Sequence, residues 1–477
     1  FTAQFPIVQG VLMVRTSPRG ALASALLGLT VVVAGCADPI ASPDNALGPA
    51  FAKGAPPAPL APPKQYVVIY NDGASDLAEP GSASGAKIGQ MTYVNGAVFA
   101  NVDNPAALAD DPNVRSVTEN ILSYPTASYP TGATYFARDW QWDMQQIKAD
   151  QVPESVQGQN ARVCIIDSGI DRFHQDLAGK VVAEASFVDL AHGYPGPGAS
   201  PAQLDSNGHG SHVSGTVTTN GIGVAPVAPR ASLMAAKVFP ATGGASLAAI
   251  WDAIAWCTSN NADVINMSLG GTVTKPFSAG TQAARDEYVR QIQAARANGT
   301  VVVVAAGNDN KVIDPSQAYE VWPAQIEGTV TVGATQPFVT TFPFVTSAPS
   351  AGYDTRAGYS EFGADVDIWA PGGAAFINRV QSNIISVCSS SRADGGCVGG
   401  KLYTSESGTS MASPHVAGVA ALITSRSTVP RGLARTQAIE NCLYASGDLI
   451  TIQVGANSNT RPRLNALKAA TQACAGI

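Results

Sequence analysis

Five apolar runs, ARVCIIDSG, ASLMAAKVF, ADVINMSLG, TVVVVAAGN and VTVGAT, fall between residues 161 and 335, and each closes on glycine or a polar residue. Amphipathic stretches, SLAAIWDAIAWCTSN and AARDEYVRQIQAARANG, lie among them. A strand that is apolar on both faces has to be covered on both faces, which a mainly parallel sheet with helices on either side provides. The expected fold is therefore α/β and doubly wound. In such a sheet ligands collect beyond the carboxyl ends of the strands. That rule singles out the residues just after the runs: Asp167, the stretch Leu269, Gly270 and Gly271, and Asn308.

Composition suits this fold. Apolar residues make up 45% of the 477, enough for a large core with chain left for something smaller. A net charge of −7 gives no reason to invoke nucleic acid or an anionic membrane as partner. The N-terminal segment reads as an export signal: Arg15 and Arg19 precede ALASALLGLTVVVAGC, an apolar stretch too short to span a bilayer comfortably. Residues 13–36 are assigned to it, with Met13 as the start. Val33-Ala34-Gly35-Cys36 resembles the bacterial lipoprotein signal, which implies a lipid on Cys36; an ordinary cleaved signal is the alternative. Residues 37–63, rich in Pro and Ala, form a tether. The other six cysteines, an even set in an exported chain, suggest disulfides. Cys388 with Cys397 and Cys442 with Cys474 are the local pairings. Cys164, in an expected strand, and Cys257, in an expected helix, are equally well read as inert core thiols. No spacing resembles a zinc site.

Three stretches carry chemistry. Asp167 ends the run VCIID, His209 sits in SNGHGSHVSGTV at the start of a small-residue helix, and Ser410 sits at the mouth of a helix in SGTSMASPHVAG. A serine hydroxyl attacks a carbonyl poorly unless an imidazole removes its proton. The imidazole must be held in one tautomer, which a buried carboxylate does. Taken singly, each residue has an ordinary explanation: a turn after a strand, a surface histidine, a helix cap. At one sheet edge they form the set that acyl transfer needs. A helix N-terminus also offers unpaired N–H groups and a partial positive charge, so the Ser410 N–H would face an oxygen turning negative. Gly408, Thr409 and Ala412 leave room for a peptide backbone, and Pro414 is tolerated because the first turn has no intrahelical partner for its missing N–H.

DSGID, NGHGSHVSGT and SGTSMASPHVAG, in this order, resemble the three signature stretches of the subtilisin-like serine proteases, over roughly residues 140–477. The resemblance implies the doubly wound fold and peptidase activity, with Ser410 as nucleophile, His209 as general base and then acid, and Asp167 as its orienter. It implies that Asn308, in its AAGN setting, is a second oxyanion donor. It assigns Ser268, Leu269, Gly270 and Gly271, with Ala305, Ala306 and Gly307, to pairing with substrate backbone and walling the pocket for the residue before the cut. No organic cofactor is implied. Asp176 matches a position that ligates Ca²⁺ in some subtilisins, but the loop TTNGIGVAPVAP is shorter than theirs, and a hard cation needs about six to eight oxygens. No metal is expected there; structural calcium elsewhere is left open.

Upstream, QYVVIYND, YVNGAVFANV and VRSVTEN read as strands and NPAALADD as a short helix. This unit resembles the inhibitor-type propeptide that precedes subtilisin-like proteases. The implied division is a small α+β propeptide at 64–123 and a catalytic domain at 124–477, with NILSYPTA covering the cleft until self-cleavage between Ser123 and Trp140. Together these readings describe a secreted, monomeric serine endopeptidase acting on proteins or peptides at neutral to alkaline pH. Its own propeptide would be an intramolecular inhibitor, and it would touch a membrane only through a lipid on Cys36. A slow or inactive peptide-binding module and an esterase using the same triad are the alternatives, although GTSMAS is not the GxSxG elbow of α/β-hydrolases. Other polar residues are assigned structural places: His212 as a packed, hydrogen-bonded histidine, His174 in a structural loop, His415 on the helix flank, and Lys237 as a strand-end lysine reaching water or a local carboxylate.

Overall fold

The computed structural model describes residues 65–71, 86–90, 96–100, 102–119, 132–188, 204–240, 244–337, 354–374, 382–392, 397, 401–454, 457–474 and 477. The expected signal segment with Cys36, the tether at 37–63 and the stretch NILSYPTA lie outside the described residues.

Near the N-terminus, strands Ala86–Gln90, Gly96–Ala100, Gln65–Tyr70 and Val114–Glu119 form an antiparallel sheet in that order, joined by the helix Pro105–Ala109. Val68, Tyr70 and Leu108 are its buried centre. The strand Ala86–Gln90 was not anticipated. It closes a Gly- and Ser-rich run with little strand propensity, and pairing with Gly96–Ala100 is what holds it extended.

The large sheet has its strands in the order Asp448–Val454, Asn457–Arg463, Ile368–Pro371, Thr329–Gln336, Val301–Ala305, Val264–Met267, Arg162–Asp167, Ser232–Lys237 and Val181–Ser186, with Thr355–Arg356 pairing beside Thr329–Gln336. All pairings are parallel except the hairpin Asp448–Arg463 and that short tenth strand. Successive side chains are buried on opposite faces, with the two-residue period of a strand. Val163, Ile165, Val301 and Val303 join the core on one face, and Cys164, Ile166, Val302 and Val304 the core on the other. This is why the sequence runs are apolar throughout. The first face is covered by the helices His209–Val217 and Thr409–Arg426, the second by Leu247–Ser259 and Ala279–Ala297.

The helix Leu247–Ser259 shows how sequence sets an element. Ser246 caps it by accepting from the Ala249 N–H, and Ala249, Ile250, Ala253, Ile254 and Cys257 recur at helical spacing on the buried side. Each large apolar side chain so buried stabilises by about 1.5–3 kcal/mol. Cys257 forms a disulfide with Cys164 on the strand beneath it, so these two are not free core thiols: helix and strand bring the sulfurs together across 93 residues. Cys388–Cys397 and Cys442–Cys474 are the other two bonds.

Register fixes the functional edge. Ile165 pairs with Asn266, and Met267 with Val304. One or two residues further on, Asp167, Ser268 and Ala305 therefore arrive together at the carboxyl edge of three adjacent strands.

Candidate active site

Asp167 is fully buried at the end of its strand, and its carboxylate accepts from His209 Nδ1 at 2.8 Å (Oδ1) and 3.0 Å (Oδ2). His209 is the first residue of its helix. The next residue must be glycine because the helix starts directly on the strand end: a Cβ on Gly210 would fall 2.2 Å from the Gly169 carbonyl. Asp205 and Ser168 tie these two pieces together. Asp205 Oδ1 accepts from Ser168 Oγ (2.7 Å) and the Gly208 N–H (2.8 Å), and its Oδ2 accepts from the Ser211 N–H and hydroxyl. The Gly210 N–H donates to Ser168 Oγ. Sequence reading missed both residues. The available signal was an acidic residue just before a helix start, where it satisfies free N–H groups.

With Nδ1–H given to Asp167, the neutral ring carries its lone pair on Nε2, which makes no hydrogen bond among the described residues. Burial disfavours charge on this ring, but Asp167, with help from Glu406 and Asp205, outweighs it and lifts the imidazole to about 9. Glu406 belongs to the hairpin Ile384–Val387 and Tyr403–Glu406. Arg392 Nη1 donates to its Oε1 at 2.9 Å, and the Arg392 side chain lies against Gly208, next to His209. Burial works against the Glu406 charge, yet His212, His209 and Arg392 hold its carboxyl below the usual range.

Ser410 is the second residue of its helix, where the helix itself supplies no acceptor for the N–H. Its hydroxyl donates a long bond, 3.4 Å, to the Ser268 carbonyl, and a Ser410–His209 hydrogen bond is not formed. The helices that begin at His209 and Thr409 pack on each other, and reacting-group hydrogen bonds commonly tighten only when substrate is bound. Asn308 Oδ1 accepts from the Thr409 N–H (2.9 Å) and hydroxyl (3.0 Å), which makes the amide nitrogen the donor end beside the same helix mouth. Of the expected substrate-contacting residues, Gly271 opens a strand paired with Trp322, the Ala306 N–H is committed to Val332, and the Gly307 N–H donates to Thr409. Ser268 is bound through its side chain to the helix that begins at Thr409. Leu269 and Gly270 follow it at the sheet edge, and Ala305 ends its strand.

Pro414 needs a different account from its sequence reading. It is the sixth helical residue, beyond the first turn, so its missing N–H leaves the Ser410 carbonyl without its helical donor. Ser268 Oγ donates to that carbonyl instead, at 2.8 Å. Lys237 also departs from expectation. It is 1% exposed and reaches neither water nor a carboxylate oxygen but the carbonyls of Ser168 and Leu204, and burial lowers its pKa. His415 does more than fill a flank: fully buried, it bonds Asp143 through Nε2 (3.0 Å) and the Met411 carbonyl through Nδ1 (2.8 Å). His212 Nε2 bonds the Ile384 carbonyl and His174 Nε2 the Leu402 carbonyl.

Residues 158–441 match the family model described as Peptidase_S8, the subtilase family. The chain belongs to the subtilase family. It is similar to Subtilisin NAT of Bacillus subtilis subsp. natto, 33% identical over 76% of this chain and 81% of that one. Subtilisin DY of Bacillus licheniformis is 38% identical over 59% of this chain and 82% of its own. Among solved structures, a protease from Pseudoalteromonas arctica PAMC 21717 superposes with a TM-score of 0.55 at 29% identity, covering 72% of this chain and 99% of that one. At the family level this subtilase is a serine endopeptidase with the subtilisin-like α/β fold.

The family also implies Ca²⁺ for some members at Asp176, and the residues of this subtilase do not fit it. Asp176 is fully buried, and its oxygens accept from the Ile222 N–H (2.7 Å), the Gly223 N–H (2.9 Å) and the Tyr403 hydroxyl (2.8 Å). The positive ends of these dipoles point where a cation would bind. Tyr403 is pressed onto Gly223, where a Cβ would overlap its ring, and burial holds its phenol well above the usual range, so it stays a donor.

Proposed function

We propose that this subtilase is a secreted serine endopeptidase that cuts proteins or peptides through Asp167, His209 and Ser410, with Asn308 as oxyanion donor. The observation that carries the reading is the two-oxygen contact of buried Asp167 with His209 Nδ1, which fixes the tautomer whose Nε2 accepts a proton. In the first step Ser410 Oγ bonds the substrate carbonyl carbon while its proton passes to His209 Nε2. The imidazolium is stabilised by Asp167. The carbonyl oxygen becomes an oxyanion and receives hydrogen bonds from the Ser410 N–H and the Asn308 amide. The intermediate collapses, the C–N bond breaks, and His209 returns the proton to the leaving amine. Water then repeats the sequence on the acyl-enzyme and frees Ser410. Ser268 to Gly271 and Ala305 to Gly307 would flank the bound peptide, and the chemistry needs no cofactor.

Cleavage of a peptide library by the wild-type protein beside Ser410→Ala tests this reading. Defined cuts lost in the variant support it; equal cutting by both defeats it. Ester hydrolysis without peptide hydrolysis would favour the esterase alternative.

The segment at 64–123 acts, in this proposal, as a propeptide that inhibits the catalytic domain at 124–477 until self-cleavage between Ser123 and Trp140. The antiparallel sheet with its own buried centre at Val68, Tyr70 and Leu108 supports a unit able to fold ahead of the enzyme. With a lipid on Cys36, cleavage would release the monomeric catalytic domain from the membrane. Mass spectrometry of culture fluid and membranes tests this; full-length protein retained wholly on membranes, despite active protease, would oppose it.

A further inference from the structure

Asn308 sits in a tight turn, and two of its neighbours there, Gly307 (φ 115°) and Asn310 (φ 55°), take left-handed backbone. A non-glycine residue in that region costs about 1–3 kcal/mol and persists only where the surroundings over-determine it. Residues 359–362 do so. The Asn310 N–H donates to the Tyr359 carbonyl (2.7 Å), the Glu361 N–H to the Gly307 carbonyl (3.1 Å) and the Phe362 N–H to the Lys311 carbonyl (3.0 Å). At the centre lies the side chain of Glu361, a residue 1% exposed. Its Oε1 accepts from the Asp309 N–H at 3.4 Å and its Oε2 from the Lys311 N–H. The turn wraps it closely, since a Cβ on Gly307 would lie 2.7 Å from Glu361 Cγ. Such a carboxylate is costly. Burial pushes its carboxyl up to about 7, although the N–H groups of Lys311 and Asp309 favour the ionised form. Acyl transfer has no use for it, so its place has to be explained by what it holds.

We infer that Glu361 is a positioning residue for the oxyanion site, clamping the backbone of Asp309 and Lys311 so that the turn aims the Asn308 amide. The opposite end of that amide is already fixed, because Asn308 Oδ1 is held by Thr409 on the nucleophile helix. The Gly307 N–H donates to the Thr409 hydroxyl as well, at 3.1 Å. With the side-chain oxygen fixed to one element and the backbone to another, Nδ2 is left with one direction. Without the Glu361 clamp the amide keeps its bonds to Thr409 but pivots about them, and a donor displaced from the oxyanion loses most of its value. The inference rests on the proposed role of Asn308.

A double-mutant cycle tests it, with kcat and KM measured on one peptide substrate for Asn308→Ala, Glu361→Gln and the pair. Asn308→Ala tests the underlying reading and should lower kcat by about 10²–10³, the cost known from relatives in this family. Glu361→Gln turns one accepting oxygen into an N–H₂ that faces a backbone N–H. It should lower kcat about tenfold with KM within about twofold, and change kcat less than about twofold once Asn308 is gone. Glu361→Asp, which keeps the charge but withdraws it by one methylene, serves if the glutamine variant fails to fold. Its smaller effect should vanish in the same background. Equal losses in both backgrounds, a change confined to KM, or no change at all would overturn the inference. An Asn308→Ala enzyme with unchanged kcat would remove the underlying reading, and the inference with it.

Discussion

Tyr403→Phe removes a single hydroxyl and asks whether Asp176 is satisfied by protein donors or by a metal. In the wild-type chain the carboxylate takes its short hydrogen bonds from two backbone N–H groups and this phenol, at 2.7–2.9 Å. A hydrogen bond to a charged acceptor contributes about 1.5–3 kcal/mol net. At about 2 °C per kcal/mol for a chain of this size, the loss is about 3–6 °C in Tm. Asp176→Ala goes further, stranding the buried Gly223 N–H at about 1–3 kcal/mol besides the bonds lost, so its Tm should fall further still. The assay is thermal unfolding of each protein with EDTA and with 10 mM calcium chloride. A Ca²⁺ held at this carboxylate with a Kd of about 10 µM would contribute about 4 kcal/mol at about 10 mM metal, or about 8 °C. The expected result is that any shift of Tm with either treatment is the same, to within about 1 °C, in the wild type and in Asp176→Ala. A fall of several degrees in EDTA for the wild type, absent in Asp176→Ala, would refute the reasoning.

With neutral His209 as the proposed base and its pKa at about 9, kcat/KM should climb through the alkaline range and level off above about 9. Glu406→Gln should move that limb to lower pH and Arg392→Met to higher; a limb unmoved by both would remove Glu406 as a contributor. The same proton acts on stability in the opposite sense. The folded pKa lies above the usual 6.5, so the imidazolium's contribution is complete below pH 6.5 and lost as pH rises through 9, a trend that unfolding midpoints should show and His209→Ala should lack. Asp143→Ala removes the carboxylate from fully buried His415 and leaves it only the Met411 carbonyl, which should cost about 3–5 kcal/mol in denaturant titrations; a loss under about 1 kcal/mol would contradict the pairing. Ser268→Ala should cost about 1–3 kcal/mol, and less in a Pro414→Ala background, where the restored N–H reaches the Ser410 carbonyl. Equal costs in both backgrounds would separate the two residues.

The sheet and its functional edge were legible because burial on both faces leaves a local mark, a run of apolar residues ended by a turn. Asp167 and Asn308 each sit at the end of such a mark, whereas His209 and Ser410 were legible from the small-residue helix starts that carry them. What escaped was set by partners remote in sequence. Asp143 and His415 meet across 272 residues, and nothing local to either distinguishes them from surface groups. Lys237 reads as an exposed strand end, yet the loops carrying Ser168 and Leu204 close over it. Cys164 and Cys257 pair only because a particular helix lies on a particular strand. Strands Val181–Ser186 and Asp448–Arg463, at the margins of the sheet, alternate or carry polar residues and lack the continuous apolar signature.

The central claim is that one hydroxyl among the serines of SGTSMAS is the nucleophile. Mass spectrometry after treatment with a serine-directed fluorophosphonate reads this directly. The claim requires one adduct per catalytic domain, located on Ser410, formed far more slowly in His209→Ala and absent in Ser410→Ala. An adduct on Ser407 or Ser413, or labelling that persists in Ser410→Ala, would contradict it.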